Sequence, residues 1–346
     1  MVRRGSHPRL SVILIVEGSP SYAMRALESV QNQDLYDLQI VVVCRDVAPG
    51  VRHSLEVAAG RDIHIDLIDV EDSARGACLK AGFAASRGLQ IVAMNADEWF
   101  APQSLPKMVD VACDAAADMV IPTVSLDRYD AHRERHSSVL DAAPIAIGDK
   151  SSMAAGLPLV VSSGLIAQAS GVMYSRSLFD TCLLHEKAFR AVGFMACALS
   201  RAQRVSGCGD ACFHTVAPKL TDAFDPAMFT GLSDDVRALD ELAESLSDTG
   251  SVSQLRTASQ KFYFVGLVAC IENLCLSPHG VSSIERSARM RDMLEAPRTR
   301  QMVAALKDNH RGLGLLFGPI ASAKSTRCVM CTHLAAFLNR TGAKTA

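Results

Sequence analysis

Within the first 122 residues, short apolar runs alternate with stretches of helical spacing, and this alternation restricts the fold more than any other feature. Leu10-Ser-Val-Ile-Leu-Ile-Val16 is apolar at nearly every position, as a strand buried on both faces must be. Pro20 opens a helical stripe of Tyr22, Ala26, Leu27 and Val30. Leu38 to Cys44 reads as the second strand and Ile63 to Ile68 as the third. A small-residue helix, Ala74 to Ser86, ends at Gly88 and leads to a fourth strand, Ile91 to Met94. A helix from Leu105 to Ala116 precedes a fifth strand, Met119 to Ile121, which stops before Pro122. This order implies parallel βαβ units covered on both faces, an α/β fold. Ligands in such sheets bind beyond the carboxyl ends of the strands, so chemistry belongs just after Val16, Cys44 and Met94.

The chain has 346 residues, enough for about two domains. A net charge of −2 leaves no general basic field for nucleic acid. The eleven cysteines are odd in number and irregularly spaced, which suits reduced thiols better than a disulfide framework. Cys328-Val-Met-Cys331, with His333 beyond it, lacks the second ligand pair of a structural zinc site and reads as two buried thiols on a helix. No apolar run reaches the roughly 18 to 20 residues of a membrane span. The basic start followed by Leu10 to Val16 has the outline of a signal peptide, but no small-residue cleavage site follows, so a strand and a cytoplasmic location are expected.

From Ser125 to Pro158 the pattern breaks, and the charged stretch Asp127 to His136 reads as a surface connection within a long loop. Structure resumes with Leu165 to Tyr174, a helix near Ala188 to Gln203, and Cys212 to Val216. Helical spacing then marks Asp234–Leu246, Gln254–Leu276, Val281–Leu294, Thr299–Asn309 and Cys328–Leu338. An excess of Arg between Arg286 and Arg311 reads as a solvated helix face. The expected division is a first domain over 8–232 and a helical region over 233–346.

Two passages resemble family 2 glycosyltransferases with the GT-A fold, a Rossmann-like, mostly parallel sheet with flanking helices. The first is Ser11-Val-Ile-Leu-Ile-Val through Tyr22 with Arg25-Ala-Leu-Glu-Ser-Val-Gln-Asn-Gln33, similar to a "SVIIPVYN" turn and a "LESVLNQ" helix. The second, Gly82 to Leu105 with Met94-Asn-Ala-Asp-Glu-Trp-Phe100, is similar to the segment around the family's D-x-D site. A third, Gly171-Val-Met-Tyr-Ser-Arg-Ser-Leu178, is a weaker match, and the resemblance covers roughly residues 8 to 220.

The resemblance implies a nucleotide-diphosphate sugar donor, a divalent cation (Mg²⁺ or Mn²⁺) on the D-x-D carboxylates, and a carboxylate base acting on the acceptor hydroxyl. It implies a glycan or lipid-linked acceptor in the cell envelope or a polysaccharide, with peripheral contact at the inner membrane face, and leaves the C-terminal helices open to an oligomer or partner protein. Carried onto this chain, the nucleotide-sugar positions are Glu17, Asp46, Lys80, Asn95, Asp97 and His214, and the metal positions are Asp97, Asn95 and Glu98. The departures are specific. Glu17 replaces the family's Tyr, Cys44-Arg45 replaces its acidic pair, Leu79-Lys80 replaces Arg-Asn, and Asn95 replaces the first aspartate. Between Lys187 and Gly209 there is no acidic residue where the base is expected, so Glu186, Asp210 and His185 are the remaining candidates. Two readings follow: a working transferase, or a pseudo-glycosyltransferase that binds a partner. A nucleotide-binding protein of another type is disfavoured, because Glu17-Gly-Ser-Pro20 carries neither G-x-G-x-x-G nor a P-loop lysine.

Overall fold

The computed structural model describes residues 8–18, 20, 22–74, 76–129, 135–148, 150–184, 190–216, 223–246, 249–277, 281–309 and 312–340. The chain divides into two compact units, 1–217 and 218–346. The first contains β1 (Leu10–Glu17), α1 (Ala23–Gln31), β2 (Leu38–Arg45), α2 (Pro49–Arg61), β3 (Ile65–Asp69), α3 (Ala77–Ala85), β4 (Gln90–Asn95), β5 (Trp99–Phe100), α4 (Ser104–Asp114) and β6 (Met119–Tyr129). It continues with β7 (Arg135–Leu140), β8 (Ala146–Ile147), α5 (Lys150–Ser162), β9 (Met173–Ser175), α6 (Arg176–Leu183), α7 (Ala191–Arg201) and β10 (Val205–Val216).

The strands form one sheet in the order β3-β2-β1-β4-β9-β6-β10-β5, with β7 beside β6 and β8 beside β10. β1, β2, β3, β4, β6 and β10 point the same way, and the short strands run against them. β1 lies between β2 and β4, and Leu10, Val12, Ile13, Leu14 and Val16 are all fully buried. That is the two-sided burial its apolar run demands.

Three segments differ from the expectation. α2 was not legible, because it buries only Leu55 and so carries almost no apolar stripe. The fifth strand does not stop at Pro122 but continues to Tyr129. Pro122 is tolerated because β10 bulges opposite it, the register jumping between Cys208 and Cys212. The expected long loop is a β6–β7 hairpin followed by β8 and α5. Its inward residues Ser125 and Asp127 are polar yet buried, and they hydrogen-bond each other at 2.9 Å, so an apolar alternation never showed.

A buried polar knot fixes the entry to the sheet. Ser11 Oγ–H donates to Gln39 Oε1 at 2.6 Å, and Gln39 Nε2 donates to Asp66 Oδ2 at 2.7 Å and to the Ala85 carbonyl at 3.0 Å. Arg87 N–H donates to Gln39 Oε1 and Gly88 N–H to Ser11 Oγ, each at 2.8 Å. Gly88 is required there, since a Cβ would lie 2.4 Å from the Ser11 nitrogen. The knot ties the end of α3 and the start of β4 to β1 and β2.

The second unit contains α8 (Met228–Glu244), α9 (Thr249–Leu276), α10 (Ser283–Glu295), α11 (Pro297–Leu306), α12 (Phe317–Ala321) and α13 (Ser325–Arg340). Its core joins Leu267, Ile271, Met290, Met302, Phe317 and Cys328. Of the arginines expected on a solvated face, Arg298 is a bidentate partner of Asp240 (2.8 and 3.0 Å), and Arg289 pairs with Glu285 at 2.9 Å. Cys328 is buried in this core, and burial pushes its thiol up to about 11, whereas Cys331, expected to be buried too, is only partly so because it packs at the edge of the core. Among the described residues, no helix is long and apolar enough to cross a membrane.

Ser11→Ala removes the acceptor of the buried Gly88 N–H, a loss of roughly 1–3 kcal/mol. The denaturation midpoint of this variant is expected to fall accordingly, with an unchanged slope.

Candidate active-site cleft

The carboxyl ends of β1, β2 and β4 open onto a cleft of about 370 Å³, walled by Glu17, Arg45, Gly76, Cys78, Leu79 and Asn95 and by Ala169, Ser170, Phe179, Arg190 and Phe194. A larger hollow of about 470 Å³, around Leu246, Arg256 and Gln260 in the helical unit, lies at no strand end. We place the chemistry at the smaller cleft, because parallel sheets gather convergent backbone and side-chain groups at that rim.

The parallel register sets Glu17 beside Arg45. Their side chains form an ion pair of 2.6 Å, and the Cys78 thiol donates to the same Glu17 oxygen at 3.4 Å. Burial, then the Glu17 carboxylate, pushes Cys78 up to about 11. Glu17 is therefore held by two side chains at the position where the resemblance places an aromatic residue. Asp46 follows with a positive φ of 50° and is exposed. Lys80 is exposed on α3, while its neighbours Cys78 and Leu79 face the cleft.

Asn95-Ala-Asp97-Glu98 turns the chain after β4. Asn95 is at the cleft, and its Nδ2 donates to Glu98 Oε2 at 3.1 Å and to Ser170 Oγ at 3.3 Å. Glu98 is only 6% exposed. It folds back onto the turn, accepting the Asn95 backbone N–H at 2.7 Å, with Ser170 and Thr215 as further partners. Burial, with repulsion from Asp97, pushes Glu98 up to about 7 against these hydrogen bonds. Asp97 is exposed. Among the described residues, no three or more His, Cys, Asp or Glu side chains gather to hold a cation. A cation arriving with a diphosphate needs only one or two carboxylates, the remaining ligands being phosphate oxygens and water. Asp97 fits that requirement.

The opposite wall is apolar. α7 has no acidic residue in its first turn. Phe194 is buried against Tyr174 and Phe179, with ring centroids 5.4 and 5.3 Å away, and Tyr174 donates its hydroxyl to Met195 Sδ at 3.2 Å. His185 and Glu186 lie outside the described residues. Asp210 is exposed on the β10 bulge, where its carbonyl accepts Lys107 Nζ at 3.0 Å, and it does not line the cleft.

Residues 11–182 match the sequence family described as glycosyl transferase family 2. The putative glycosyltransferase EpsH of Bacillus subtilis is 26% identical over 132 residues, a match spanning 38% of this chain and only 38% of that protein. The crystal structure of S. aureus TarS 1–349 superposes with a TM-score of 0.57 at 12% identity, covering 95% of this chain and 91% of that fragment. The same fragment in complex with UDP-GlcNAc gives 0.57 at 12% identity, covering 96% and 92%. At such identity the structural likeness concerns the fold. The chain carries a family 2 glycosyltransferase-like domain of the GT-A fold.

One arrangement in this GT-A domain was invisible in the sequence. His214 Nδ1 lies 3.2 Å from Asp127 Oδ2, although 87 residues separate them. Burial disfavours charge on Asp127, but hydrogen bonds from Ser137, Ser125 and His214 outweigh it and hold the carboxyl below its ordinary range. The His214 ring stacks parallel to Trp99 with ring centroids 4.8 Å apart, and the Arg25 guanidinium covers the Trp99 ring at 3.6 Å from its centroid. Such a cation on a ring face contributes about 0.5–2 kcal/mol. The only sequence signal was the pairing of a Trp after the D-x-D position with a His on a later strand. Asp127 gave none, because it sat in an apparent loop.

Glu98 gives a pH signature. Its folded-state value of about 7 exceeds the ordinary 4.5, so the fold binds a proton that the unfolded chain has lost. Stability therefore falls as pH rises from about 4.5 to 7, by about 3 kcal/mol at most. Glu98→Gln should flatten this part of the pH–stability curve in denaturant titrations. Separately, Glu17→Ala should move the alkylation midpoint of Cys78 down from about 11, read by mass spectrometry across a pH series.

Proposed function

We propose that this protein transfers a sugar from a nucleoside-diphosphate donor, with UDP-sugars first in order, to a hydroxyl of a cell-envelope or polysaccharide acceptor. The observation that carries this reading is the Asn95-Ala-Asp97 turn at the carboxyl end of β4, on the rim of the cleft. The family match supports a glycosyl donor, and the UDP-GlcNAc complex of the similarly folded TarS supports uridine. In this reading the nucleoside enters between the ends of β1 and β2. Arg45 and Arg190 give that cleft cationic groups that suit a diphosphate. Asp97 would hold an accompanying Mg²⁺ or Mn²⁺, which when bound would supply charge to neutralise the leaving diphosphate. His214, oriented by Asp127, faces the same turn through Trp99. Glu186, just ahead of α7, is the carboxylate closest in sequence to where the family's base stands, and it takes the acceptor proton in this reading.

A second reading, a binding protein on an inactive transferase fold, is favoured by one observation. The first half of α7 presents buried Phe194 and Met195 in place of an acidic pair.

With Mn²⁺ and a panel of UDP- and GDP-sugars, calorimetry should detect donor binding, and Asp97→Ala should weaken it about tenfold or more. Glu186→Gln should keep donor binding but lower turnover by about 10²–10⁴, the usual contribution of a general base. Metal-dependent binding with no turnover on any acceptor would favour the second reading, and no binding across the panel would overturn the first.

A further inference from the structure

Two helices that wall the cleft also bring together two cysteines the transfer reaction does not use. Cys182 is on α6 and fully buried, and Cys197 is on α7 and half-buried. Their thiols lie in hydrogen-bond contact across the two helices. One helical turn beyond Cys197, Arg201 bends back over it. Arg201 Nη1 lies 3.2 Å from Cys197 Sγ, 3.2 Å from its carbonyl oxygen and 3.0 Å from Ser200 Oγ. One face of the guanidinium is thus aimed at the sulfur, and because Cys197 is part-exposed and Cys182 fully buried, Cys197 is the member of the pair that solvent reaches.

The electrostatics separate Cys197 from the buried thiols. Burial pushes Cys270 up to about 12 and Cys78 up to about 11, although Cys78 lies near Arg45. At Cys197 the hydrogen bond from Cys182 and the Arg201 charge outweigh burial and bring the thiol down to about 7, while Cys182 is pushed up and keeps its proton. A thiolate stabilised by a cation, with a second thiol in contact, is the arrangement in which a sulfenic sulfur is resolved as a disulfide once the second thiol gives up its proton.

We propose that Cys197 is a hydroperoxide-reactive site and that Cys182 is its resolving partner, the two closing a disulfide between α6 and α7. The Cys197 thiolate attacks one oxygen of the hydroperoxide; the O–O bond breaks, an S–O bond forms, and the leaving oxygen is protonated to an alcohol or water. The Cys182 sulfur then attacks the Cys197 sulfenic sulfur; the S–O bond breaks, the S–S bond forms, and the hydroxyl leaves as water with the Cys182 proton. Two thiols are oxidised by two electrons in total, and one hydroperoxide is reduced. Because α6 and α7 supply Phe179, Arg190 and Phe194 to the cleft, the bond ties together two segments of its wall.

The test uses the full chain and one equivalent of hydrogen peroxide, followed by tryptic mapping without reduction. Cys182 and Cys197 fall in peptides 177–187 and 191–201, each with a single cysteine. The expected result is that this linked pair forms first, at least about tenfold faster than modification of the other cysteines, and disappears on treatment with dithiothreitol. In Cys182→Ser the same dose should leave a dimedone-trappable sulfenic acid on Cys197, and in Arg201→Gln oxidation should slow about three- to tenfold. The wild-type map requires no substitution, so a misfolded variant does not spoil the outcome. Cys197 remaining reduced while Cys113 or Cys331 oxidises would overturn the proposal, as would Cys197 passing to sulfinic acid with Cys182 still free.

Discussion

The rest of the first unit depends on β1 being hydrogen-bonded on both edges and buried on both faces. A strand so placed pairs its backbone on both edges and exposes no polar side chain until it ends, Ile15 alone being part-exposed, so polar chemistry is confined to its carboxyl tip. The register then decides who meets there. Glu17 lies opposite Arg45, and Ile15 opposite Asn95. Because laterally paired residues point to the same side, the two charges are neighbours by construction, and the ion pair follows from strand alignment alone. The Ser11–Gln39 knot works at the opposite end of the same strand, where it holds the start of β4 in the register that delivers Asn95 to the rim.

The cleft has the outline of a nucleotide-sugar site but an altered charge distribution. Glu17 is neutralised by Arg45, and Glu98 is turned inward onto its own loop, leaving Asp97 as the exposed carboxylate of the turn. The α7 wall contributes aromatic rings. Negative charge at the rim is thereby reduced, and of the two guanidinium groups that line the hollow, Arg45 is the one that balances Glu17. This redistribution is compatible with a donor that brings its own cation, and the first turn of α7 holds no carboxylate.

Much of the fold was legible because β1, β2 and β4 are continuous apolar runs, and α1 and α4 carry clear stripes. The segment from Ser125 onward was not, and the reason is chemical. Asp127 is buried as an ion held by two serines and a histidine, so a strand position that normally reads as apolar reads as charged. α2 was missed for the converse reason, since a helix that buries one leucine has almost no pattern to read. At the site, the replacements at Glu17, Arg45, Asn95 and Phe194 were visible as departures from a resemblance. Their consequences were not, because an ion pair, an inward-turned carboxylate and an aromatic cluster are relations between residues far apart in the chain.

By itself the sequence determined the class of fold and the strand ends at which ligands of such a sheet bind, because these follow from periodicity, and against the family resemblance it showed the missing acidic groups. Only the tertiary structure decided that Glu17 is occupied by Arg45, that Glu98 supports its turn, that His214 is paired with Asp127, and that Cys182 faces Cys197 beneath Arg201. Each of those outcomes depends on distance and desolvation between side chains brought together by strand register and helix packing. Neither quantity is encoded in the spacing of residues along the chain.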